Sequence, residues 1–167
     1  MRAHLLSVGK SRPGTRITPT GIVIHSTADP GATARDVRAW FSRPDSPPSS
    51  YHVVCDWKES LVLIPCFPGA CEKAYHAGPK ANSRYIGVCA CEATRKDDDV
   101  KTYERLVKIV RGLCWIWEFP IDEGHIVSHF WVSKNLGGTD HEDPIQWLGK
   151  VGKTWDQFVK DLQEGRI

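Results

Sequence analysis

Two histidines in this 167-residue chain stand where an imidazole can do chemistry. His25 closes the apolar run Ile22-Val23-Ile24 and is followed by the polar pair Ser26-Thr27. His129 ends the run Ile126-Val127-Ser128 in the same manner. A side chain at the end of a strand can project into the cleft beyond the sheet. Two such imidazoles plus one carboxylate leave a tetrahedral zinc one open position, the arrangement of a hydrolytic site. After His129, a loop Asn135-Leu136-Gly137-Gly138 leads into Thr139-Asp140-His141-Glu142-Asp143-Pro144. Donors packed so closely make either a solvated acidic turn or a ligand loop, and nearness to His129 favours the ligand loop. Spacing alone does not choose among its members. Either histidine taken singly would more often be a hydrogen-bonded core residue; the pair together with the loop points to a metal.

Positioning these groups takes strands and helices in alternation. Strand-like apolar runs occur at Gly21 to His25, Tyr51 to Cys55, Ser60 to Ile64, Tyr85 to Cys91 and Gly124 to His129. Their near-continuous β-branched character predicts strands covered on both faces. Helical spacing of Tyr103, Leu106, Val107, Val110, Leu113, Cys114 and Trp117 predicts a helix from about Asp98 to Glu118, with Asp97 to Asp99 as favourable charge at its start. A second helix is expected from near Thr33, carrying Val37, Trp40 and Phe41 inward and stopping before Pro44. A third starts at Thr154, which forms a capping box with Gln157 and buries Trp155, Phe158 and Leu162. Turn-rich stretches at Arg12-Pro13-Gly14, Arg43 to Ser50 and Cys66 to Gly69 are too short for interdomain linkers. The pattern predicts one α/β domain over residues 1–167.

Composition excludes several classes. A net charge of +2 is too small to argue for nucleic acid, though it would not impede approach to an anionic bacterial wall. No apolar run is long enough to cross a bilayer, and the start Met1-Arg2-Ala3-His4-Leu5-Leu6 lacks the apolar core of a signal peptide. Synthesis in the cytoplasm without membrane insertion is therefore expected. Six cysteines without zinc-ribbon spacing read as buried free thiols. Trp57, Trp131 and Trp147 fall in turns or loops, where they could stack on sugar rings or sit partly buried.

At Arg12-Pro13-Gly14, Ile22-Val23-Ile24-His25-Ser26-Thr27, Ser50-Tyr51-His52-Val53-Val54, Ala74-Tyr75-His76-Ala77-Gly78, Ile86-Gly87-Val88, Ser128-His129, Asp143-Pro144 and Thr154-Trp155-Asp156-Gln157-Phe158, the chain resembles the zinc amidases of the phage endolysin type. These are related to bacterial cell-wall amidases and peptidoglycan-recognition proteins. The resemblance spans nearly the whole chain, in the family's order. It implies a central mixed β-sheet flanked by helices with Zn2+ at one edge of the sheet. It also implies hydrolysis of the amide between N-acetylmuramic acid and L-alanine in peptidoglycan.

Carried over residue by residue, the metal ligands are His25, His129 and Asp143, the last because it stands immediately before Pro144; Asp140 is the competing third ligand. Tyr51 matches a catalytic tyrosine that orients the water or the oxyanion. His141 matches a position, two residues before the third ligand, where some members carry lysine, and an imidazolium there could stabilise an oxyanion or protonate the leaving amine. His76 matches a position on the wall of the substrate groove. Where many members carry a glutamate acting as acid or base, this chain has Cys89. Glu92 is a weak substitute, because strand alternation turns it away from Cys89. The resemblance further implies peptidoglycan as the partner, a monomer, and release to the wall through a holin. Two rivals differ in class: a recognition module that binds peptidoglycan without cutting it, and a thiol hydrolase using Cys89, which an apolar strand environment disfavours.

Overall fold

The structure, a computed structural model, describes residues 1–165. Six strands form one mixed sheet: β1 (Arg2–Ala3), β2 (Gly21–Ser26), β3 (Val53–Cys55), β4 (Ser60–Val62), β5 (Tyr85–Ala90) and β6 (Ile126–Ser128), in the order β1-β4-β3-β5-β2-β6. Only β3 and β4 pair antiparallel, as a hairpin; the other neighbours run parallel. Every residue of β2 and β5 is buried, as continuous apolar runs require when both faces are covered.

Six helices do the covering: α1 (Ala34–Ser42), α2 (Gly78–Asn82), α3 (Lys96–Trp117), α4 (His129–Asn135), α5 (Ile145–Lys150) and α6 (Trp155–Glu164). On one face Ile22, Ile24, Ile86 and Val88 pack with Leu106, Val107, Val110 and Leu113 of α3 and with Phe158 and Leu162 of α6. On the other, Val54, Leu61 and Cys89 meet Phe41 of α1, while Val23 and Tyr85 meet Ala81 of α2 and Val132 of α4. The capping box expected at Thr154 forms, and Thr33 makes a second one at the start of α1, each with its reciprocal pair of hydrogen bonds. All six cysteines are buried free thiols, as expected.

Several expectations shift. The α3 helix begins two residues before Asp98, at Lys96, which places all three aspartates in its first turn. Tyr51 and His52 precede β3 instead of opening it. His129 does not end a strand: it is the first residue of α4, whose N-cap Ser128 accepts from the Trp131 amide. Trp147, expected in a loop, is fully buried on α5 and donates its indole N–H to Asp99 at 2.8 Å. Trp40, expected inward, is 45% exposed, with the Arg43 guanidinium 5.1 Å from its ring centre. Among the described residues no helix is long and apolar enough to cross a membrane.

Candidate metal centre

Three segments meet at the carboxyl end of β2, the end at which parallel α/β sheets place their ligands. His25 comes from β2, His129 from the start of α4, and Asp143 from the segment entering α5. His25 Nδ1 lies 3.1 Å from one oxygen of Asp143, and His129 Nδ1 lies 2.9 Å from the other. The three ligand atoms fall within 4.8 Å of one another. The Ser26 amide donates to the Asp143 oxygen that faces His25, at 3.1 Å, and the Phe130 amide holds the Asp143 carbonyl at 3.0 Å. Burial alone would raise the Asp143 carboxyl; hydrogen bonds and charge from His129 and His25 outweigh it and hold the group well below the usual carboxylate range. Asp140 is exposed and contributes no atom to the cluster.

The far sides of both imidazoles are occupied. His25 Nε2 is 3.0 Å from His76 Nδ1, and His129 Nε2 is 3.0 Å from Thr139 Oγ1. Both Nδ1 atoms are thereby turned to the carboxylate, and two nitrogens plus one oxygen form a donor set that suits zinc. The supports also touch each other. Gly78 has φ +81°, and a Cβ there would lie 3.0 Å from the Gly138 carbonyl oxygen, so the turn after His76 and the loop before Thr139 pack backbone to backbone.

Residues 14–146 match the family model described as N-acetylmuramoyl-L-alanine amidase. The chain belongs to this family. A probable N-acetylmuramoyl-L-alanine amidase from Bacillus licheniformis is 30% identical over 159 residues, covering 85% of this chain and 41% of the relative. An endolysin of Listeria phage A511 is 34% identical over 99 residues, covering 53% of this chain and 29% of its own. The chain thus spans less than half the length of either relative. Among solved structures, Staphylococcus aureus hydrolase AmiA in complex with its ligand superposes with a TM-score of 0.87 at 21% identity, covering 98% of this chain and 81% of AmiA. The catalytic domain of XlyA gives 0.78 at 25% identity, covering 96% of this chain and 97% of that one.

Around the three residues of this family member, the remaining candidates separate. Tyr51 stands with its ring centre 4.9 Å from that of His25, and burial together with Cys89 and Asp143 pushes its phenol well above the ordinary value, so it stays a neutral donor. The His141 ring lies 4.8 Å from that of His129, with Nδ1 3.6 Å from Asp143 and its side chain 65% exposed. Burial and neighbouring Cys91 and Asp143 push the Cys89 thiol well above its ordinary value, which removes it as a thiolate nucleophile. Glu92 accepts from Ser26 Oγ and the Ala28 amide, each at 3.0 Å, and pairs with Lys150 of α5. It is a buried clamp between the end of β2 and α5.

His76 does not line a groove wall. It is buried behind His25, with one ring nitrogen toward His25 and the other 3.1 Å from the Tyr85 carbonyl, so both are engaged within the protein. Its neighbour His52 is likewise internal, between the Gly87 amide and the Glu72 carbonyl. A cleft of about 680 Å³, lined by Thr27, Asp29, Val37, Trp40, Phe41, Arg43 and Tyr51, opens beside the cluster and shares Tyr51 with it. Thr139 and Ser26 are participants that sequence reasoning missed. Ser26 was legible as the polar residue after His25, but a threonine in a polar loop carries no signal of its own.

Proposed function

We propose that this chain is a zinc-dependent N-acetylmuramoyl-L-alanine amidase. It cuts the amide between the lactyl group of N-acetylmuramic acid and the L-alanine of the stem peptide in peptidoglycan, which lyses the bacterial wall. The observation that carries this reading is the convergence of His25 Nδ1, His129 Nδ1 and Asp143, with Tyr51 between His25 and a cleft, within a chain of this family. Zinc held there would supply Lewis acidity, polarising a carbonyl oxygen and acidifying water.

The chain's own groups do the rest. Tyr51, neutral and beside His25, donates its phenolic hydrogen to the carbonyl oxygen as negative charge develops on it. His141, at the solvent side of His129, protonates the departing amine of L-alanine. Thr27 and Trp40 offer a hydroxyl and an indole face along the cleft, suited to a peptide and a sugar ring respectively. Glu92 takes no part, because its oxygens are committed to Ser26, Ala28 and Lys150.

Incubation of purified wall sacculi with the protein, with and without a chelator, tests the reading. New N-terminal L-alanine that disappears on chelation and returns with zinc is the expected result. Release that persists without metal would overturn zinc dependence, and zinc binding without any release would make the chain a recognition module.

A further inference from the structure

The hydrogen bonds behind the cluster form a chain with a direction. The Tyr85 carbonyl can only accept, so the His76 nitrogen 3.1 Å from it, Nε2, carries a hydrogen. A neutral imidazole has one donor and one acceptor, which leaves His76 Nδ1 as a bare acceptor. The group facing that acceptor at 3.0 Å is His25 Nε2, which must therefore be the donor. Nδ1, the atom His25 turns toward Asp143 at 3.1 Å, is then its position for a metal, which would displace any hydrogen shared with that carboxylate.

The His76 ring is held in the one place where this works. Gly87 lies directly beneath it: a Cβ on Gly87 would sit 2.6 Å from His76 Cγ and 2.8 Å from Nδ1. The amides of His76 and Ala77 both donate to Asn82 Oδ1 at 2.8 Å, which fixes the turn that carries the ring. The Gly87 amide donates to His52 Nδ1 at 2.9 Å, and His52 Nε2 donates to the Glu72 carbonyl at 2.7 Å, so the neighbouring imidazole has its own closed account of donors and acceptors.

We propose that His76 is a positioning residue. Seated over Gly87 and oriented by the Tyr85 carbonyl, it sets the tautomer of His25 and so presents a metal-ready Nδ1. This rests on the reading of His25 as a metal ligand, and it assigns His76 to the inner support of the site instead of to substrate. Outer partners of ligating histidines contribute about 10- to 100-fold to metal affinity. Asparagine places an acceptor oxygen where His76 Nδ1 stands, whereas phenylalanine keeps the ring shape and removes the acceptor.

The test has two parts. In nitrogen-15 spectra that correlate ring nitrogens with ring carbon-bound protons, His76 should carry its hydrogen on Nε2 and be bare at Nδ1, and His25 should carry a hydrogen on Nε2. A hydrogen on His76 Nδ1 overturns the proposal. In zinc competition titrations, with folding checked by amide spectra, His76→Phe should bind zinc about 10- to 100-fold more weakly than the wild type and His76→Asn within about threefold of it. Equal weakening in both variants, or in neither, overturns the proposal. If the wild type binds no zinc, the metal reading of His25 fails, while the positions of the ring hydrogens, read on metal-free protein, still decide whether His76 sets the tautomer.

Discussion

Beneath α3, the side chains of Ile22, Ile24, Ile86 and Val88 sit among leucines, valines and Phe158. One residue along on the same strands, the opposite face carries His25, Gly87 and Cys89, with His52 and His76 laid against it. The first face is held by area removed from water and tolerates any side chain of the right shape. The second is also buried, yet its imidazole nitrogens must each find a partner, because an unsatisfied polar atom inside a protein costs about 1–3 kcal/mol. Substitutions should therefore separate the faces, stability being lost from one and metal chemistry from the other.

The largest effect is expected at the meeting point of the histidines. Asp143→Ala should lose zinc and reduce L-alanine release to background while remaining folded; Asp140→Ala should keep both. Bound-zinc counts and the sacculus assay read the contrast, and equal loss in the two variants would displace Asp143 from its assigned place. On the apolar face, Phe158→Ala should cost about 3–5 kcal/mol in urea unfolding with zinc content unchanged per folded molecule.

Acid should expose the histidine face next. Burial pushes His52 down from 6.5 to about 4. Unfolded chains take up that proton as soon as pH drops below 6.5, whereas the folded protein does so only near 4. The stability His52 contributes is full above pH 6.5 and is lost as pH falls toward 4, by about 3 kcal/mol. Urea unfolding at pH 7 and pH 4.5 should show a steeper decline for the wild type than for His52→Gln. A smaller effect is expected from Gly87→Ala, whose methyl would press on the His76 ring: overpacking of about 1–3 kcal/mol with weaker zinc binding. Smallest of all, Trp40→Ala should change stability by no more than about 0.5 kcal/mol and raise KM on wall fragments with kcat unchanged, since the ring is half exposed on the cleft.

The two faces also differed in how openly the sequence announced them. Helical periodicity in Tyr103, Leu106, Val110 and Leu113 is a long repeated signal, and it located α3 to within two residues. The capping box at Thr154 was local and correctly read, and the helix start near Thr33 carries a second box that was not foreseen. Short α2, α4 and α5 contain too few turns for a period to emerge, which is why His129 read as a strand end and Trp147 as a loop residue. His76 looked like a groove residue because its role depends on a contact with β5, and alternation along one strand says nothing about which loop folds over Gly87. Trp40 misled for the converse reason: a helix stripe is usually core, and here a cation and a cleft hold the ring at the surface.

Glu92 carries a consequence for how protons move. Its carboxylate ties β2 to α5 and is closed to exchange, Cys89 keeps its proton, and the inner nitrogens of His25 and His129 are committed to His76 and Thr139. Beside the ligands, the His141 side chain is in contact with solvent. On the proposed reading His141 is the residue that passes protons to the medium, and small diffusible bases such as imidazole are expected to stand in for it when it is shortened to alanine.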